Sequence, residues 1–200
     1  LSFTTWDGRG LPDTPVPTTE TLEALERAVE TLVAQGARLD SEGPPKIRHN
    51  IYDLMEVAWD PRTIVPDPDA PLPDLMLDRQ AIEFFRGRRN RIPLEQRELA
   101  RTTLLPDFQR SWLGYLEKVG VILAPVCSFP AMKHGTTWQF INAFNYTLLI
   151  SLIPKVPAGC VPFVRSKEGL PIGIQVIGPP FREDIVLAAM RCLENARATP

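Results

Sequence analysis

Apolar positions along the chain follow two periods. From Thr19 to Gln35, Leu22, Leu25, Val29, Leu32 and Val33 recur at the spacing of one helix face. Thr18 or Thr19 can cap that helix, because a hydroxyl accepts a backbone N–H left open in the first turn. Glu23 and Arg27 add an ion pair one turn apart. Gly36 stops the helix, since glycine enters the left-handed region without steric cost. A strand over Ser2 to Thr5, ending in the turn Asp7-Gly8, precedes it, and a strand over Ala37 to Leu39 follows. That is the outline of a β–α–β unit. Helical spacing returns over Lys46 to Trp59 (Ile47, Ile51, Leu54, Met55, Ala58) and over Leu94 to Val119 (Leu105, Phe108, Trp112, Leu116). Pro106 should break or restart the second of these, because proline lacks the ladder N–H and crowds the preceding turn. Further helices are expected over Leu75 to Arg86, Trp138 to Ser151 and Arg182 to Arg197, the last with Ile185, Ala188, Ala189, Cys192 and Leu193 inward.

The other period is that of strands. VILAP, Val121 to Pro125, follows Gly120 and reads as a buried strand. Cys160 to Val164 and Ile172 to Ile177 are strands joined by the turn Ser166-Lys167-Glu168-Gly169. Ile172, Ile174 and Val176 share one face; Gly173, Gln175 and Ile177 share the other. Both faces are nearly apolar, which suits a strand covered on both sides. The pattern predicts an α/β fold with a largely buried sheet between helices, and it shows no internal repeat.

Composition narrows the function classes. The chain has 200 residues, 44% hydrophobic and 23% charged, so a sizeable core is within reach. A formal net charge of -2 provides no footprint for nucleic acid or an anionic membrane. The local exception is RGRRNR, Arg86 to Arg91, read as a solvated helix end or loop, with a phosphate patch as the alternative. There is no apolar run of the roughly 18 residues a membrane helix needs. Nor is a secretory signal visible, so a cytoplasmic location is expected. Cys127, Cys160 and Cys192 form neither a disulfide framework nor a metal pattern, and reduced thiols fit. With only His49 and His134, a His-rich metal site is not expected. Prolines crowd Pro12 to Pro17 and the segment 61–73 (PRTIVPDPDAPLP), both read as surface loops, the second long enough for a lid.

Candidate chemistry is sparse. PIGIQVIG has Gln175 where a dinucleotide loop needs glycine, and no nucleophile-elbow, P-loop or zincin motif occurs. Cys127 and Ser128 follow a strand end, with His134 as the nearest base; a packed, inert Cys127 is the competing reading. Trp138, Phe140, Phe144 and Tyr146 form an aromatic cluster that belongs either to the core or to an apolar pocket. Gln175 either bonds a neighbouring backbone or faces a substrate.

One resemblance ties these pieces together. VPAGCVPFVRSKEGLPIGIQVIGPPFREDIVLAAMRCLE, Val156 to Glu194, resembles the C-terminal signature of the amidase signature family. Its marks are Pro157-Ala158, Val161-Pro162, Gly169-Leu170-Pro171, Gly173 with Gln175, Ile177-Gly178 and Arg182-Glu183-Asp184. VILAPVCSFPA resembles a family strand that ends in proline, and the opening TTWDGRG with the later QGARL resembles the segment after the family's catalytic half. Family members hydrolyse amides with a Ser–cis-Ser–Lys triad, the nucleophile lying in a Gly/Ser-rich stretch. No such stretch is present here, and Lys46, Lys118, Lys133, Lys155 and Lys167 stand in no family-like context.

The resemblance therefore implies a layered α/β/α fold with a mixed sheet, the C-terminal half of the amidase signature fold. Residues 1–200 are then one domain or the C-terminal half of a larger one. It implies no cofactor, no metal and no catalytic residue in this chain, which alone is expected to be inactive. Cys127, Trp138, Phe140, Tyr146 and Gln175 are the expected substrate-pocket residues. The implied partners are a small amide substrate and the N-terminal catalytic half, with a homodimer left open and neither nucleic acid nor membrane expected. The alternatives are a non-catalytic binding or scaffold half-fold, and the A-type subunit of a tRNA amidotransferase.

Overall fold

A computed structural model of the protein describes residues 1–8, 11, 13–47, 51–74 and 76–197. Pro12, His49 and the expected helix start at Leu75 lie outside them. The chain begins with β1 (Ser2–Thr5), α1 (Thr19–Ala34) and β2 (Arg38–Leu39). The Thr18 hydroxyl accepts the Thr21 N–H at the start of α1. The α1 stripe is shifted from the expected one: Thr21, Ala24, Leu25, Ala28 and Leu32 are buried, and Val33 is exposed. Small residues let the helix lie close on the sheet.

Helices fill the middle of the chain: α2 (Ile51–Ala58), α3 (Pro61–Ile64), α4 (Met76–Arg88), α5 (Leu94–Leu99) and α6 (Leu105–Val119). Two expectations change here. Lys46 and Ile47 are not helical, and the described helix begins at Ile51. The segment 61–73 opens with one helical turn, because Asp60 caps it and Pro61 sits at its first position. Pro106 does not end the long helix but stands in the first turn of α6, where α geometry restarts. A wide π turn over Ala100–Leu104 joins α5 to α6 and absorbs the missing N–H.

RGRRNR closes α4 and runs into the turn after it, as expected, with Arg91 exposed and Arg86, Arg88 and Arg89 half-buried, yet each arginine is also bonded within the protein. Arg88 and Arg91 both donate to Glu56, Arg86 to the Ala70 carbonyl, and Arg89 to the carbonyls of Val65 and Pro66. A buried carboxylate and the carbonyls of a proline-rich loop draw the guanidinium groups inward, so these side chains strap α4 to α2 and to the 61–73 segment.

β3 (Val121–Pro125) follows, every residue buried. Then come a 3₁₀ stretch (Thr137–Phe144), α7 (Asn145–Ile150), β4 (Ala158–Arg165), β5 (Pro171–Ile177) and α8 (Glu183–Arg197). The helix expected over Trp138 to Ser151 is thus 3₁₀ first, with a kink at Phe140, and α only from Asn145. In α8 it is Val186, Ala189 and Leu193 that are buried, while Ala188 is exposed.

The strands form one five-stranded mixed sheet in the order β2-β1-β3-β5-β4. β1 pairs in parallel with β2 and β3, and β5 runs antiparallel to β3 and β4. Val121, Leu123, Ile174 and Val176 turn towards α1 and α8, packing with Leu25, Leu32 and Leu193. Ile122, Ala124 and Ile177 turn to the opposite side, onto Trp112, Leu116, Tyr146 and Leu149. The result is the expected helix–sheet–helix layering. Burying each large apolar side chain contributes about 1.5–3 kcal/mol.

Candidate functional site

On the α6–α7 side of the sheet, α2, α3, α4, the 3₁₀ stretch and α7 close around a cavity of about 360 Å³. That is within the size range of small-molecule sites. Met55, Glu56 and Trp59 come from α2 and the residue after it, Pro61 and Ile64 from α3, and Phe84, Phe85 and Arg88 from α4. Trp138, Ile141, Asn142, Asn145 and Leu148 complete the wall, their three- and four-residue spacing placing them on one face.

Aromatic rings dominate. Phe84 and Trp138 lie 4.8 Å apart at 38°, Phe84 and Phe85 meet edge-on at 5.3 Å, and Phe85 meets Trp138 edge-on at 5.9 Å. The Arg88 guanidinium lies 4.4 Å from the Phe84 ring centre. One turn before Phe84 on α4, Gln80 Nε2 donates to the Gly135 carbonyl at 3.0 Å, so α4 is fastened to the loop before the 3₁₀ stretch as well as to α2.

The cavity surface is almost wholly apolar, and buried polar groups lie behind it. Glu56 is 4% exposed, and its Oε1 accepts from Arg88 Nη1 and Arg91 Nη1, each at 3.0 Å. Its Oε2 is buried and has no hydrogen-bond partner among the described residues. Asn145 is wholly buried; Nδ2 donates to Thr14 Oγ1 at 2.8 Å, while Oδ1 has no partner among the described residues. Arg97, also buried, donates to the Glu56 carbonyl at 3.0 Å and lies 3.3 Å from Asp60 Oδ1. The Arg62 guanidinium bonded to Asp60 holds that carboxyl below the usual carboxylate range.

The five residues expected at a pocket are not gathered in this cavity. Trp138 is in its wall. Phe140 is 45% exposed, with its ring edge-on to Phe129. Tyr146 is buried in the core, its hydroxyl donating to the Asp7 carbonyl at 3.1 Å and its ring edge-on to Trp6. Cys127 lines a second hollow of about 420 Å³ with Phe129, Phe144, Cys160 and Gly173. Burial pushes the Cys127 thiol up, outweighing the N–H groups of Phe129 and Ser128, and burial also raises Cys160. Scarce thiolate suits an inert thiol. Gln175 is buried, in register between Ala124 and Cys160, and its Oε1 has no partner among the described residues.

The residues that sequence reading missed are Glu56, Phe84, Phe85, Arg88 and Asn145. Phe84-Phe85 beside RGRRNR was the local signal: an aromatic pair and cations on one predicted helix. Nothing local points to Glu56 or Asn145, which reach the cavity from distant segments.

Among the described residues the wall contains no serine, threonine, cysteine, lysine or histidine. It can hold an apolar group by shape, and among the described residues it brings together no hydroxyl, thiol or amine with a base of the kind that breaks an amide. Among the described residues no group of three or more histidine, cysteine and carboxylate side chains is placed to hold a metal, and no helix is long and apolar enough to cross a membrane.

A family model described as Amidase matches residues 71–187. The A-type subunit of the glutamyl-tRNA(Gln) amidotransferase of Chlamydia felis is 38% identical over 115 residues, 56% of this chain and 20% of that protein. Fatty acid amide hydrolase 1 of Caenorhabditis elegans is 29% identical over 119 residues, 44% of this chain and 21% of that protein. Among solved structures, 6-aminohexanoate cyclic dimer hydrolase superposes with a TM-score of 0.72 at 16% identity, covering 99% of this chain and 45% of that one. At that identity the likeness is one of fold. The chain thus spans about a fifth of the curated relatives it matches and under half of the structural neighbour.

Proposed function

Because the chain belongs to the amidase family, we propose that it forms the C-terminal part of an enzyme that hydrolyses carbon–nitrogen amide bonds, supplying sheet and substrate-pocket wall. The observation that carries this reading is the composition of the cavity wall: aromatic rings and buried polar groups, with no serine, threonine, cysteine, lysine or histidine among the described residues. Amide hydrolysis needs an activated nucleophile and preorganised donors for the oxyanion. Both would come from the Ser–Ser–Lys part of the fold, seated against this one. Trp138 is the proposed contact in the main cavity, and Cys127 marks a second hollow on the same face of the sheet.

The 38% identity to an amidotransferase component supports a second reading, in which the same half-fold serves a protein that releases ammonia from an amide within a larger assembly. The bond broken is of the same kind.

Purified chain incubated with acetamide, benzamide and acetanilide should release ammonia or aniline no faster than buffer. Fused behind the nucleophile-bearing part of a family amidase, it should release them. Turnover by the chain alone that survives repurification, or a folded fusion that releases nothing, would count against this reading.

A further inference from the structure

We propose that the hollow between α1, the end of α8 and the end of β4 binds a diphosphate group. It lies across the sheet from the α4 cavity, so the inference does not depend on how that cavity is used.

Three elements bring the same side chain to this place. Arg27 comes from α1, Arg165 is the last residue of β4 and Arg197 the last of α8, and all three line one hollow of about 680 Å³. Phe163, Val164 and Pro171 form the apolar part of its wall. Phe163 packs in the core shared with α1 and α8, which fixes the side of the sheet. Thr31 also lines the hollow, but its hydroxyl already donates to the Arg27 carbonyl at 2.8 Å, so the open donors are those of the arginines.

The charge of these arginines is uncompensated. No carboxylate lines the hollow among the described residues. Elsewhere Arg62, Arg88, Arg97, Arg110 and Arg182 each lie 2.7–3.3 Å from a carboxylate oxygen. Arg27, Arg165 and Arg197 pair with none among the described residues, although Glu23 and Glu30 stand one turn from Arg27 and Glu194 one turn from Arg197. Three cations gathered in this way, in a chain of net charge -2, repel one another until an anion joins them.

Two of the three are held in place. Arg165 Nη1 donates to the Gly169 carbonyl at 2.7 Å, and Arg197 Nη1 donates to the Pro162 carbonyl at 3.0 Å. Each bond uses one N–H of a guanidinium and leaves the other donors for a ligand. A side chain fixed beforehand loses less freedom on binding. The planar forks of arginine match phosphate oxygens, which accept two parallel N–H bonds. One phosphate group carries about two negative charges and would leave a guanidinium unmatched. A diphosphate carries one more and matches three. A lone carboxylate matches only one.

The test is equilibrium binding to the full chain by calorimetry, without divalent metal. Pyrophosphate, orthophosphate and ADP are each titrated. Pyrophosphate should bind about tenfold more tightly than orthophosphate and weaken as salt is raised. Arg27→Gln removes a guanidinium that bonds nothing among the described residues, so the fold does not depend on it. It should weaken pyrophosphate about five- to tenfold, as loss of a charge-assisted bond does. Arg110→Gln, which removes the same charge from an exposed position on α6, should weaken it less than about twofold. ADP binding more tightly than pyrophosphate identifies a nucleotide whose body lies on the apolar wall; ADP binding no more tightly identifies the free anion. Both uphold a diphosphate site. No binding, equal affinity for pyrophosphate and orthophosphate, or equal losses in the two variants overturns the proposal.

Discussion

Gly8 shows how much a single position carries. Its φ is +76°, and a Cβ there would lie 2.2 Å from Tyr146 Cε1 and 2.4 Å from the Tyr146 hydroxyl. Tyr146 is wholly buried against Trp6, so its ring has nowhere to retreat. Gly8→Ala therefore combines a left-handed backbone cost of about 1–2 kcal/mol with an overpacking cost of about 1–3 kcal/mol. Urea unfolding should show a loss of about 2–5 kcal/mol; a loss below about 0.5 kcal/mol, the usual size of a surface change, would refute this packing. The sequence made the turn at Asp7-Gly8 legible, because the dipeptide is a local signal. It could not announce Tyr146, whose hydroxyl reaches the Asp7 carbonyl across 139 positions. The same holds for RGRRNR: its charge and its place at a helix end were plain, but its partner Glu56 lies in another helix and left no local signal. Gln175 was the converse case. One polar residue in an apolar strand signalled burial, and it is buried at 6% exposure.

Elements were legible where period and caps agreed. The Thr18 cap, the α1 spacing and Gly36 fixed one helix nearly to the residue. Along Leu94 to Val119 the apolar spacing persisted through Pro106, and spacing proved the better guide, because a π turn costs less than ending a helix whose face is already packed. Over Thr137–Phe144, contacts three and four residues apart fit a 3₁₀ and an α-helix equally, so periodicity had no power to choose. The short helix α3 depends on Asp60. Its Oδ1 accepts the Arg62 N–H at 2.9 Å, and its carboxylate pairs with Arg62 and Arg97. Since Arg62 holds the Asp60 pKa below its unfolded value, this contribution is present above about pH 4 and is lost as pH falls through the lowered value. Asp60→Ala should cost about 1 kcal/mol near pH 7, the usual value of a helix cap. The gap between variant and parent in denaturant unfolding should close as pH falls below the ordinary carboxylate range. A gap independent of pH would show that the charge is irrelevant to α3.

At the scale of the molecule, layering followed from strands apolar on both faces, and β3, buried at every residue, confirms it. Strand order did not follow. The sequence β2-β1-β3-β5-β4 brings the first strand beside one that starts at Val121, a pairing no local signal encodes. The cavity was illegible for the same reason: its wall is drawn from segments around residues 55, 85 and 140. What the C-terminal motifs did convey was kinship, and the family match over residues 71–187 bears that out. β2 and β4 are the outer strands of the described sheet. β4 carries Pro162, a residue tolerated at an edge because it donates no ladder hydrogen bond. The proposed function places the pocket wall in this polypeptide and the reacting groups in another part of the same fold. The most direct test is to read the coding DNA upstream of Leu1 in the same frame. An open frame encoding a lysine-bearing strand and a Gly/Ser-rich stretch is expected there. A stop codon followed by a start codon next to Leu1 would contradict it.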